Sequence, residues 1–130
     1  MTGDATPDDR RYLKTHEWVK PENGEIITVG ITDHAQSELT DIVFVDLPPV
    51  GKSVSAGTSV LVLESVKTVS DVYSPVDGTV VAVNEAVKTH PELVNKDPYG
   101  AGWLVKLRPT APLDPAGFLD AAGYRASLTS

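Results

Sequence analysis

Val60-Leu61-Val62-Leu63-Glu64-Ser65-Val66-Lys67-Thr68-Val69-Ser70-Asp71-Val72-Tyr73 is rich in valine, with apolar residues recurring along its whole length, the pattern of extended chain. Its fourteen residues far exceed the usual strand of about 5–6. The stretch therefore divides into two strands with a turn between them. The midpoint falls between Val66 and Lys67, which puts one lysine at or beside the tip of a hairpin, between two apolar arms. Ser65-Val66-Lys67-Thr68 contains no Gly, Pro or Asn; a type I turn accepts such a sequence without requiring it. Lys67 is thus the candidate functional centre, and the rest of the chain is expected to hold and present it.

Outward from the hairpin, the chain reads as further short strands. Lys20-Pro21-Glu22-Asn23-Gly24-Glu25 is a turn, so residues 16–20 and 25–31 form a hairpin. Thr32 can cap a helix over His34–Leu39, with Asp33 favourable in its first turn. Ile42–Leu47 is almost continuously apolar and is expected to be buried on both faces. Thr79–Asn84 and Trp103–Leu107 read as strands. Lys88–Asn95 reads as a helical turn with Pro91 at its first position. Asp114 can cap a final helix starting at Pro115, with Phe118, Leu119 and Ala122 buried. Trp18 and Trp103 are expected core anchors. A faint repeat, Gly51-x-x-Val54 and Gly78-x-x-Val81, suggests two similar half-sheets joined through the hairpin. About seven to nine short strands with small helices at the margins indicate a β sandwich or barrel.

The 130 residues suit one domain. Residues 1–9 are polar and expected to be a flexible N-terminus, with a single domain over 10–130. The absence of cysteine excludes a disulfide scaffold, a thiolate metal site and a cysteine nucleophile. Any redox sulfur would have to arrive with a cofactor. A formal charge of −7 disfavours nucleic acid. No apolar run is long enough for a bilayer, so no membrane partner is expected. The N-terminus has no apolar core and is acidic rather than arginine-rich. A bacterial cytoplasmic location is expected ahead of the mitochondrial matrix. His16, His34 and His90 are scattered without ligand spacing, so no metal is expected. No phosphate-cradling loop or nucleophile elbow is present. A lysine presented at a tip, without a catalytic set around it, suggests a post for something attached.

Glu64-Ser65-Val66-Lys67, followed by Ser70-Asp71-Val72-Tyr73-Ser74-Pro75 and Gly78, resembles the lipoyl-lysine site of the glycine cleavage system H-protein family. His16-Glu17-Trp18-Val19, Gly30–Gln36, Asp41–Pro48, Pro91–Asn95 and Pro98-Tyr99-Gly100-x-Gly102-Trp103 are similar to the same family, in order along roughly residues 10–125. The resemblance implies a barrel-sandwich hybrid: mostly β, two small sheets, a lysine-bearing hairpin, short flanking helices and a C-terminal helix. It implies lipoate joined to Lys67 as an amide. Acylation removes the lysine charge, taking the formal net from −7 to −8.

It further implies a non-catalytic carrier of the aminomethyl intermediate of glycine. The partners would be a pyridoxal-phosphate glycine decarboxylase, an aminomethyltransferase and dihydrolipoyl dehydrogenase, after loading by a lipoate-attaching enzyme. A monomer is expected. Glu64 and Gly78 correspond to marks read during lipoylation. The plain alternative for Glu64 is an ordinary solvated strand carboxylate; for Gly78 it is turn geometry, which is expected to apply as well. Glu17 and Asp71 are candidates to pair with the ammonium of the loaded arm, with Thr15 as a polar neighbour; both could equally be surface carboxylates. The loaded arm would fold into a cleft lined partly by the His-Glu-Trp segment.

Other readings use a similar lysine. Biotin carriers usually place it between two methionines, whereas its neighbours here are Val66 and Thr68. Lipoyl domains of 2-oxoacid dehydrogenases usually have Asp before the lysine and sit in longer chains; here the residue is Val66. A lipoate relay protein, or an unmodified structural or interaction domain of the same fold, remains open.

Overall fold

Two antiparallel sheets account for the alternating apolar pattern, each turning one face toward a shared core. A computed structural model describes residues 6–22 and 25–128. Its strands are β1 (Arg11–Tyr12), β2 (Glu17–Pro21), β3 (Ile27–Ile31), β4 (Ile42–Asp46), β5 (Ser53–Val54), β6 (Ser59–Ser65), β7 (Val69–Tyr73), β8 (Gly78–Val83) and β9 (Val105–Pro109). Six form one sheet in the order β1-β2-β3-β9-β8-β5, and three form the other as β4-β6-β7. The helices are α1 (Asp33–Leu39), α2 (Glu85–Thr89), α3 (Glu92–Lys96) and α4 (Ala121–Leu128). The mostly-β, two-sheet fold with a C-terminal helix is as expected. The two sheets are unequal, however, rather than similar halves. The repeated Gly-x-x-Val segments instead lie against each other: β5 pairs with β8, and the Gly51 N–H reaches the Val80 carbonyl at 2.7 Å.

The core joins Val19, Val29, Val80, Val105 and Leu107 of the larger sheet to Val45, Leu61, Leu63 and Val72 of the smaller one. Each such side chain contributes about 1.5–3 kcal/mol on burial. A second cluster lies behind β2, where Tyr12, Trp18, Ala121 and Tyr124 meet. The Trp18 indole lies over Gly30, where a Cβ would come within 2.5 Å of the ring. Its N–H donates to the Pro98 carbonyl at 3.0 Å. The Arg10 guanidinium sits 4.6 Å from the ring centroid, a cation–π contact. Trp103 is only half-buried, with the Lys106 ammonium 5.0 Å from its ring.

Several boundaries differ from the sequence expectations for identifiable reasons. In β4, a bulge between Ile42 and Phe44 breaks the pleat, so Val43 and Phe44 face solvent while Ile42 and Val45 are buried. The strand is therefore not buried on both faces. The last strand starts two residues late, at Val105, although the Leu104 N–H already reaches the Val29 carbonyl of β3. Asn84 caps α2 by accepting from the Ala86 N–H, so helix begins before Lys88. Pro91 occupies the cap position of α3 rather than its first turn. Residues Pro115–Gly117 form only a 3-10 turn. The final helix begins after Asp120, whose carboxylate accepts from the Gly123 N–H at 2.7 Å, and it buries Ala121 and Tyr124. Leu119 pairs with Tyr12 as a β-bridge instead of lining that helix.

Thr32 caps α1 as expected, accepting from the Ala35 N–H at 3.2 Å. The hairpin of β2 and β3 is present, and its Asn23-Gly24 turn lies outside the described residues. So do residues 1–5 of the expected flexible N-terminus. Within the remainder of that segment, the Pro7 carbonyl accepts from the Tyr12 hydroxyl, and Asp9 pairs with Arg10 at 2.9 Å. The histidines are not all scattered. The His16 and His34 rings lie 4.8 Å apart, and His16 Nδ1 is 2.7 Å from the Tyr124 hydroxyl. No group of three or more metal-ligating side chains forms among the described residues.

Candidate functional site

Lys67 is exposed at the centre of the three-residue connection, Val66–Thr68, of the β6–β7 hairpin. The length of the apolar run locates this turn without showing what closes it. Ser65 does so. Its backbone N–H donates to the Thr68 carbonyl at 2.8 Å. Its hydroxyl oxygen accepts from the Lys67 and Thr68 N–H groups at 3.3 and 3.1 Å. A serine that bonds its own following backbone is a turn former by mechanism, so the signal is present in the sequence although no Gly, Pro or Asn accompanies it. The Val66 N–H donates to the Asp41 carbonyl at 3.0 Å, extending the β4–β6 ladder to the residue before the lysine.

Glu64 pairs with Phe44 on one side and Val69 on the other. Directly opposed residues share a face, so these three form a row on the outside of the smaller sheet. Val66 and Val69 are 65% and 64% exposed, and Val43 and Phe44 are also solvent-facing. These make up four of the five exposed large apolar side chains among the described residues. Clustering of this kind marks an interaction surface.

The other expected site residues lie away from the tip. Asp71 is exposed midway along β7 and accepts from the Ser59 hydroxyl at 2.8 Å. Glu17, at the start of β2, is only 1% exposed and is not a surface carboxylate. It accepts from the Thr15 hydroxyl and, at 3.0 Å, from the Tyr73 N–H at the far end of the hairpin. Burial pushes its pKa up, and these two hydrogen bonds hold it down in part. Thr15 and Tyr73 line a cleft of about 730 Å³ with Leu13, Gly57, Pro75 and Phe118. Thr15, rather than His16, Glu17 or Trp18, forms that wall, and Glu17 stands behind it through its two partners. Gly78 opens β8, beyond the end of the hairpin opposite Lys67. It is buried against β9, where a Cβ would come within 2.4 Å of the Arg108 carbonyl oxygen.

These features define a small β domain that presents one lysine on a braced hairpin. The glycine cleavage H-protein family model matches residues 10–130. A glycine cleavage system H protein of Alteromonas mediterranea is 54% identical over 122 residues, 94% of this chain and 95% of that one. One from Thermus thermophilus is 54% identical over 124 residues, covering 95% and 96%. The crystal structure of a glycine cleavage system H protein from Mycobacterium marinum matches with a TM-score of 0.85 at 43% identity, covering 95% of this chain and 99% of that one. The chain belongs to the glycine cleavage H-protein family. It is a lipoyl-carrier component of the glycine cleavage system, a family known for lipoate attachment. Among the described residues no helix is long and apolar enough to cross a membrane.

Proposed function

We propose that Lys67 is the lipoyl attachment site. On it the chain would carry the aminomethyl intermediate of glycine between glycine decarboxylase, aminomethyltransferase and dihydrolipoyl dehydrogenase. The observation that carries this reading is the exposure of Lys67 on a hairpin whose backbone is braced on both sides. An exposed amine meets a lipoate-attaching enzyme without unfolding, and an exposed apolar rim gives each partner a dry contact around it. The residues present fit the group. Once bound, lipoate supplies the disulfide–dithiol couple that a chain without cysteine lacks.

Glu64, beside the lysine, is assigned to recognition by the lipoate-attaching enzyme, and Gly78 to fixing the register of the strand it starts. The cleft beside Thr15 and Tyr73 is assigned to the loaded arm. Glu17, behind that wall, and Asp71, on the exposed strand, supply negative charge toward its ammonium. A buried carboxylate acts on such a cation with little screening by water. The chain performs no chemical step itself and works as a monomer in the bacterial cytoplasm.

Intact-mass measurement of protein from its native host tests the attachment. A lipoyl increment that disappears in Lys67→Arg is expected; a biotin increment, or none under glycine induction, overturns the reading. Reconstitution with the three partner enzymes separates carrier from relay. The lipoylated chain should support glycine decarboxylation, and a relay protein would not.

A further inference from the structure

Lys67 is useful to an enzyme only where its base is held. The residue before it, Val66, is fixed by the bond from its N–H to the Asp41 carbonyl at 3.0 Å. Asp41 belongs to the connector between α1 and β4, and that connector is not relaxed. Thr40 has φ 65° and ψ −151°, a region open essentially to glycine alone. A residue with a Cβ stays there only when its surroundings over-determine it.

Asn95 of α3 provides that restraint. Its Nδ2 donates to the Thr40 carbonyl at 2.8 Å and to Gln36 Oε1 at 2.9 Å. Its Oδ1 accepts from the Ile42 N–H at 2.9 Å. One side chain therefore grips the residue before Asp41 and the residue after it, while also tying both to α1. We infer that Asn95 is a positioning residue for Lys67: by holding Thr40 and Ile42 it fixes the Asp41 carbonyl that pins Val66. This inference rests on the reading of Lys67 as the attachment site. A loosened tip leaves only a fraction of molecules ready to dock. That raises the apparent dissociation constant by the inverse of the fraction and leaves the bound complex unchanged.

The test uses the full chain with Asn95→Ala. Amide exchange at Val66 should accelerate about tenfold, the net effect of losing the two bonds that hold Thr40 and Ile42, while Val105 in the larger sheet changes little. With the lipoate-attaching enzyme, KM for the protein should rise about tenfold and kcat stay within about twofold. Adding Thr40→Gly, which makes the connector conformation natural, should return both readouts most of the way. Should Asn95→Ala not fold, Asn95→Asp, which keeps the bond from Ile42 and loses both donated bonds, carries the same measurements. Exchange at Val66 rising no more than at Val105 would reduce Asn95 to general support and overturn the inference. So would an unchanged KM despite faster exchange, or no recovery with Thr40→Gly. Wild-type protein that never gains a lipoyl increment on Lys67 overturns the attachment reading instead, and the exchange data still judge the restraint.

Discussion

The carboxylate of Glu17 accepts a 3.0 Å hydrogen bond from the backbone N–H of Tyr73, joining the first residue of β2 to the last residue of the lysine hairpin. The Glu17 pKa is raised by burial. Its contribution to stability is therefore full below the ordinary carboxylate value and declines as pH rises through the raised folded value. Gln in its place can accept from Tyr73 and donate to Thr15 without a buried charge. Relative to wild type, Glu17→Gln should gain unfolding free energy across that window and remain at least equal at pH 7. Glu17→Ala should lose about 1–3 kcal/mol, because the Tyr73 N–H is orphaned. Urea unfolding between pH 4 and pH 7, at roughly one-unit steps, reads both. In reconstituted glycine decarboxylation, lipoylated Glu17→Gln should be about tenfold slower, the loss of one poorly screened charge acting on the ammonium of the arm. An unchanged rate would confine Glu17 to the fold.

Gly78 faces a steric limit of its own. A Cβ there would sit 2.4 Å from the Arg108 oxygen and 3.1 Å from the Pro109 Cα, both backbone atoms that cannot swing away. Gly78→Ala should lose about 1–3 kcal/mol through overpacking, seen as a lower urea midpoint at constant slope. The lipoylation rate per folded molecule should fall with it as β8 shifts. A lower rate without a lower midpoint would make Gly78 a direct recognition mark instead.

Much of this is legible in the sequence because local chemistry agrees with the fold. The Val60–Tyr73 run is too long for one strand, and Thr32 before His34–Leu39 signals a capped helix that is present. What periodicity cannot show are contacts distant in sequence. Val43 and Phe44 read as buried because a bulge leaves no trace in hydropathy. The burial of Glu17 does not show in the sequence because its partner Tyr73 lies 56 residues away. Asp114 is the expected cap because Pro115 makes that start attractive, yet it yields only a 3-10 turn. Asn95 stands out only as part of a family resemblance, since its partners belong to another helix and the strand beyond it.

His16 and His34 link pH to stability. His16 has φ 75°, which asparagine also tolerates, and its ring contacts Tyr124 of α4 and His34 of α1. Burial, and then the neighbouring His34, lower its pKa, while Glu38 opposes them. A histidine depressed in the folded state leaves stability intact above its ordinary value near 6.5 and removes it as pH falls through the folded value. His16→Asn should therefore flatten the decline of wild-type unfolding free energy below that point. His34→Gln should flatten it in part by removing the neighbouring imidazole. Identical profiles for wild type and His16→Asn would rule out His16 as the source.

Ser65 closes the turn that bears Lys67, and its half-buried place at the tip limits how much it can contribute to global stability. Ser65→Ala removes the acceptor for the Lys67 and Thr68 N–H groups, at 3.3 and 3.1 Å. The global loss should stay at about 0.5–1 kcal/mol, while amide exchange at Lys67 and Thr68 accelerates severalfold. Ser65→Asp restores the acceptor in the form of an Asx turn and should slow exchange again, although it adds a negative charge beside the lysine. The Val66 N–H, bonded to Asp41 rather than to Ser65, should keep its protection in both variants. Equal loss of protection at Val66 and Thr68 in Ser65→Ala would mean that the tip opens as one unit and that the serine hydroxyl is not its local fastening.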